Sequence, residues 1–356
     1  MTILKLARPE IAALHPYKAA AQVDGTIRLN ANESPRSTAS GNFRRPLNRY
    51  PEVRPATLQA ALAGYFRCRP EQLLITRGSS EAIDLVIRSF CRAGEDSVLV
   101  TAPSFSMYWH YAAVQGARLI EVPTIAERDF AIDVDDILAA CDESTRLVFV
   151  CSPNNPTGTT LPRAELERLL QERGDRSAIV VDEAYVEFGE QGSVTELLDD
   201  YDNLLVLRTL SKALGFAGAR CGAVAGPAAV IRMLDAVQAP YALATPVVEC
   251  VEDALQADQL GEARELVAQI VAERERVSEA LRGYPFVTRV WPSDANFILV
   301  RTTAAAEIME HCAVQKVLLR HFGGELADCI RITIGSPEEN DALLRALDLY
   351  RENSDG

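Results

Sequence analysis

Basic residues are under-represented in this 356-residue chain. Lysine and arginine number 36 against 50 acids, leaving a net charge of −14. A nucleic-acid surface needs a basic stripe, so no nucleic-acid partner is expected. Histidine is scarcer still. The four (His15, His110, His311, His321) show no ligand spacing, and no metal is expected. The eight cysteines are scattered and form no C-x-x-C pair, which argues against a zinc site or a thioredoxin-like motif. No apolar run approaches the ~20 residues that cross a bilayer, so no membrane partner is expected. Residues 1–10 contain no secretory apolar core. A cytoplasmic protein, its cysteines used mainly as small core filler, is the expectation. Repeats, low-complexity segments and long runs of like charge are absent as well. An anionic ligand would therefore need a local basic site.

What is present reads as an α/β architecture. The chain is too long for one small core. Almost continuously apolar runs recur at 97–101, 146–151, 178–182 and 204–208. Such runs suit strands buried on both faces of a parallel sheet. Helical patterns such as Arg163 to Arg173 separate them. After about residue 245 the pattern changes. Leu266, Ile270, Val277 and Leu281 keep one face of a long helix. Apolar stretches at 297–300 and 329–334 follow, with a closing helix from Glu338 to Leu349. Three parts are expected: an arm over 1–45, rich in turn formers, a large domain over 46–245, and a smaller α+β domain over 246–356.

The polar motifs gather where strands should end, which is where open α/β sheets bind ligands. Arg77-Gly78-Ser79-Ser80-Glu81 precedes a helical apolar pattern, with Ser79 or Ser80 as expected N-cap. Free amides and the helix dipole there suit a phosphate. Ser152-Pro153-Asn154-Asn155 carries side-chain amides able to donate to a phenolate oxygen. Asp182 closes an apolar run, where an unpaired carboxylate is costly and a protonated ring nitrogen would compensate it. Tyr185 follows three residues on. Lys212, in Thr209-Leu210-Ser211-Lys212, would have its basicity lowered by desolvation and by Arg220. Ser211 and Arg220 suit a phosphate. Gly215, Gly218 and Gly222 form neither G-x-G-x-x-G nor a P-loop, so a nucleotide reading fails.

Taken together, 152–158, 182–185 and 209–222 resemble the motifs of fold-type I enzymes dependent on pyridoxal 5'-phosphate, class II aminotransferase branch. The nearer resemblance is to the histidinol-phosphate aminotransferase family, through His15-Pro16-Tyr17, 29–35, 47–52, 318–320 and 329–335. That resemblance implies a large domain with a mostly parallel sheet and a smaller C-terminal domain. It implies a homodimer with shared sites and a role in histidine biosynthesis. Lys212 would be the Schiff-base lysine, Asp182 the partner of the pyridine nitrogen, and Asn155 and Tyr185 the phenolate partners. Tyr108 would stack on the ring. Ser79, Ser80, Thr209, Ser211 and Arg220 would hold the cofactor, with Tyr50 of the partner subunit. Tyr17, Asn32, Arg320 and Arg331 would line the substrate site. The sequence departs from the family pattern at Ser79-Ser80, at Phe105 in place of a frequent tyrosine, and between His321 and Asp328. The substitution at Phe105 is read as weakening nothing essential.

The implied reaction passes an amino group from histidinol phosphate to 2-oxoglutarate in two half-reactions, with Lys212 as proton carrier. Three other readings stay open. Two are an aromatic amino-acid aminotransferase and a decarboxylase of a phosphorylated amino acid, both on this fold. The third is a non-catalytic relative acting as a binding module, against which Lys212, Asp182 and Arg220 argue.

Overall fold

The computed structural model describes residues 3–18, 22, 28, 30–38 and 43–354. Leu29 of the arm motif, and Ser40 and Gly41 among its turn formers, lie outside them. Seven strands build the larger sheet: β1 Leu73–Thr76, β2 Ser97–Ala102, β3 Arg118–Pro123, β4 Thr145–Cys151, β5 Ala178–Asp182, β6 Leu204–Thr209 and β7 Gly222–Ala225. Their order is β1-β7-β6-β5-β4-β2-β3. Only β7 runs against its neighbours; β2 to β6 pair in parallel.

The apolar runs are continuous because both faces are covered. Val148, Val150, Ile179, Val181, Leu204 and Val206 enter one core. Leu147, Phe149, Ala178, Val180, Leu205 and Leu207 enter the other. Each fully buried Val or Leu contributes roughly 1.5–3 kcal/mol, so neither face can turn to water. The runs expected from sequence coincide with β2, β4, β5 and β6. β1 and β7 were not expected. They are four residues long, and β7 reads Gly-Ala-Val-Ala, with little intrinsic strand preference. Packing explains the glycine. A Cβ on Gly222 would stand 2.6 Å from the Arg208 carbonyl and 2.9 Å from Gly78 Cα.

The second sheet is antiparallel: β8 Val287–Val290, β9 Phe297–Thr302, β10 Arg320–His321 and β11 Cys329–Thr333, in the order β10-β11-β9-β8. Its core takes Val277 and Leu281 from the helix Ala257–Arg282, and Leu343 and Leu347 from the closing helix Pro337–Ser354. Leu266, expected on the same buried face, is 44% exposed. Only the C-terminal half of that long helix rests on the sheet. Arg274, buried within it, donates to the carbonyls of Phe188 (3.1 Å) and Ala295 (2.9 Å), tying the two sheets together.

Candidate active site

The C-terminal ends of β2, β4, β5 and β6 open into a cavity of about 530 Å³. Beyond β1, Gly78 turns the chain with φ +76° and is the N-cap of the helix Ser79–Phe90. The sequence expectation of Ser79 or Ser80 as N-cap is not met; both line the cavity instead. Glu81 accepts from the Arg77 amide at 2.6 Å and steadies the turn. Arg220 lies so close that a Cβ on Gly78 would stand 2.8 Å from its Nη2. Thr209 Oγ1 donates to Ser211 Oγ at 2.9 Å. A helix N-terminus, a guanidinium and several hydroxyls thus converge in a space that a side chain at 78 would invade. That is a fitting seat for a phosphate dianion.

Lys212, Asp182, Asn155 and Tyr185 line the same cavity. Lys212 Nζ sits 5.6 Å from the centre of the Tyr185 ring. Burial, then Arg331 and Arg220, press its basicity below that of an ordinary lysine, against the pull of Asp182. Asp182 is 2% exposed. Burial lifts its carboxyl to about 6, although hydrogen bonds from Tyr108 and Ala184 and the charge of Lys212 oppose this. Asn155 Nδ2 donates to the Tyr185 hydroxyl at 3.3 Å, so an amide and a phenol are held together at one point. The acid, the lysine and the phosphate seat are the three features pyridoxal phosphate requires of a protein, and the residues present fit it.

At the mouth, Arg320 of β10 stands opposite Arg331 of β11. Arg331 donates to Asn155 Oδ1 at 2.5 Å and packs over Phe297 and Phe322. Its Nε is buried without a partner among the described residues. Arg320 lies over Phe322 at 5.6 Å. Neither arginine has a carboxylate partner within the described residues. Two such cations facing one cavity favour an anionic ligand.

The expected place of Tyr108 needs correction. Tyr108 does not reach the cavity. Its ring is 1% exposed and stacks on Phe149 at 4.9 Å, and its hydroxyl donates to Asp182 at 2.8 Å. The aromatic ring lining the cavity from this segment is Phe105, whose replacement of a frequent tyrosine was read from sequence as weakening nothing essential. The signal was available. Phe105 stands in the short loop three residues beyond the end of β2, whereas Tyr108 lies inside the next helix, Met107–Gln115, which turns it inward. Tyr17 and Asn32, expected at the substrate site, stand outside this chain's cavity, as does Tyr50, expected to act from the partner subunit; all three are exposed. Tyr50 stacks on Tyr241 at 4.7 Å, and Tyr17 meets Tyr241 edge-on at 6.1 Å. Phe322 and Tyr241 were not singled out from sequence; each is a lone aromatic whose neighbourhood only the fold supplies. A larger cavity, about 630 Å³, lies beyond Ala213 and Leu214. In its lining the buried Arg208 pairs with the half-buried Glu187 at 2.6 Å, and it holds none of the site residues.

The chain belongs to the aminotransferase class I and II family, whose sequence profile matches residues 28–347. Among its relatives, a histidinol-phosphate aminotransferase of Stenotrophomonas maltophilia (strain R551-3) is 43% identical over 358 residues, covering 98% of this chain and 97% of that one. One from Pectobacterium carotovorum subsp. carotovorum (strain PC1) is 39% identical, covering 97% of each. The crystal structure of histidinol-phosphate aminotransferase from Sinorhizobium meliloti in complex with pyridoxal-5'-phosphate is similar with a TM-score of 0.79 at 25% identity, covering 86% of this chain and 84% of that one.

Proposed function

We propose that this chain binds pyridoxal 5'-phosphate on Lys212 and transfers the amino group of histidinol phosphate to 2-oxoglutarate. The observation that carries the substrate is the pair Arg320 and Arg331, two cations without acidic partners among the described residues at the mouth of the Lys212 cavity. A phosphate monoester matches a double guanidinium site, and a 2-oxo acid can use Arg331 in turn. The relatives at 39–43% identity support the same choice.

Bound in the cavity, pyridoxal phosphate supplies an electron sink for the charge left when a proton leaves the carbon bearing the amine. Lys212 Nζ, its basicity lowered by burial, would remove that proton and return it two bonds away, on the far side of the nitrogen. Asp182 keeps the ring nitrogen protonated. Asn155 and Tyr185 would hold the phenolate oxygen, with Phe105 as the aromatic side chain offered to the ring. Ser79, Ser80, Thr209, Ser211 and Arg220 hold the phosphate. Tyr50 completes the seat from a second copy of the chain in a homodimer, and Tyr17 and Asn32 border the substrate. The division into 1–45, 46–245 and 246–356, and a cytoplasmic location, belong to the same reading. No helix among the described residues is long and apolar enough to cross a membrane.

The test is a half-reaction titration, followed by loss of the visible band of the lysine-bound cofactor. Histidinol phosphate should discharge the band far more efficiently than phenylalanine. Arg320→Ala should reduce kcat/KM for histidinol phosphate by about 10- to 100-fold, as expected for lost charge-assisted hydrogen bonds, and for glutamate by less. A preference for phenylalanine, or equal losses for both substrates, would overturn the assignment.

A further inference from the structure

We propose that Tyr108 is a positioning residue, whose hydroxyl keeps the Asp182 carboxylate ionised and fixed in direction at the floor of the cavity. The importance of that carboxylate for the cofactor rests on the functional reading above; the geometry of the pair does not.

Asp182 Oδ2 accepts from Tyr108 Oη at 2.8 Å, and Oδ1 accepts from the Ala184 amide at 3.2 Å. Tyr108 is the one side chain among the described residues that donates to this carboxylate. Its ring cannot swing away. Phe149 stacks on it at 4.9 Å, Phe105 meets it edge-on at 5.8 Å, and it belongs to the buried core beneath the sheet. A hydroxyl so fixed favours the charged acceptor, since a phenol donates more strongly to a carboxylate than to a neutral acid. Burial pulls the other way, and strongly enough to lift Asp182 to about 6 even with the hydroxyl in place. The other titratable groups around the carboxylate do not substitute for it. Lys212 favours ionisation from across the cavity. Cys151, opposite Asp182 in the strand register, is a thiol pushed up by burial, and Tyr185 is likewise pushed up by burial; both are neutral near pH 7. Arg331 is engaged by Asn155. Removing one oxygen atom at 108 should therefore move the ionisation of Asp182 into the working pH range without emptying any core volume.

The decisive measurement is made on the cofactor-free protein, by infrared titration of the carboxyl band that Asp182→Asn abolishes. In Tyr108→Phe the midpoint should rise above that of the wild type. Site-specific 3-fluorotyrosine at 108, a stronger donor, should lower it, and this variant decides the matter if Tyr108→Phe does not fold. In the loaded enzyme, Tyr108→Phe should lose about tenfold in kcat/KM at pH 7 and recover toward the wild type as the pH rises. A purely structural role for Tyr108 would give a loss independent of pH. Midpoints that do not move with either substitution would overturn the proposal. If the midpoints move but the protein takes up no pyridoxal phosphate, the functional reading fails and this assignment stands.

Discussion

Asp182 illustrates how a site residue is held against its own preference. Its neighbours at the end of β5 are buried on both sides, and among the described residues no cation pairs with it directly. The folded carboxyl titrates at about 6, above the ordinary value of 3.8. Between these values the native chain therefore binds more protons than the unfolded one. The contribution of this group to stability falls as the pH rises from about 4, and the deficit is complete above about 6. In the cofactor-free protein, the unfolding free energy of Asp182→Asn relative to wild type should grow by on the order of 2 kcal/mol between pH 4 and pH 7. Denaturant melts at both pH values measure it, and a difference that stays flat with pH would refute the strain. Adding pyridoxal phosphate should narrow the gap, because a protonated ring nitrogen would then face the wild-type carboxylate. Sequence reasoning reached the cost of a lone carboxylate at a strand end. It missed Tyr108 as the compensating donor, because only the turn of the helix Met107–Gln115 points that hydroxyl inward.

Strand ends did most to make the site legible. β4, β5 and β6 carry unbroken apolar runs over 147–151, 178–181 and 204–207 and stop at Cys151, Asp182 and Thr209, so the polar residues at and just beyond these ends had to meet at one edge of the sheet. In the second sheet the apolar stretches at 297–300 and 329–334 announced β9 and β11, whereas Arg320 was legible only through the family resemblance, because a two-residue strand such as β10 carries no periodicity. The loop after β4 joins the two sheets. Gly158 has φ +78°, and a Cβ there would stand 2.4 Å from Ser293 Oγ and 2.8 Å from Ser293 Cα. Its carbonyl accepts from the Asp294 amide at 2.9 Å, and Thr160 Oγ1 donates to Asp294 at 2.6 Å. Gly158→Ala meets both a disfavoured backbone and a steric clash. It should destabilise the protein by about 1–3 kcal/mol and, by shifting Asn155 in the same loop, weaken cofactor binding. Thermal melts with and without pyridoxal phosphate test both parts; a variant as stable and as tightly loaded as wild type would show that the loop tolerates the displacement.

On the scale of the whole molecule, a cluster of tyrosines sits apart from the cavity of its own chain. Tyr17 and Tyr50 are 53% and 50% exposed and gather around Tyr241, away from the cavity of their own chain. Glu33 anchors the segment, accepting from Arg28 at 2.6 Å, from Arg49 at 2.8 Å and from the Tyr50 amide at 2.9 Å. Arg45 and Glu252, joined at 3.0 Å, fix its far end to the helix Thr245–Ala254. An aromatic cluster held so firmly, yet half in solvent, is suited to a second copy of the chain. In a twofold dimer the same patch serves both subunits, so each Tyr50 would complete the site of its partner. Mixing settles this. Lys212→Ala and Tyr50→Ala each impair every site in their own homodimers. After exchange of subunits, a hybrid holds one site with both native groups and one site with neither. Random pairing makes half the dimers hybrid, so about a quarter of wild-type activity should return. No recovery despite proven exchange would confine Tyr50 to its own chain and leave the phosphate seat to Ser79, Ser80, Ser211 and Arg220.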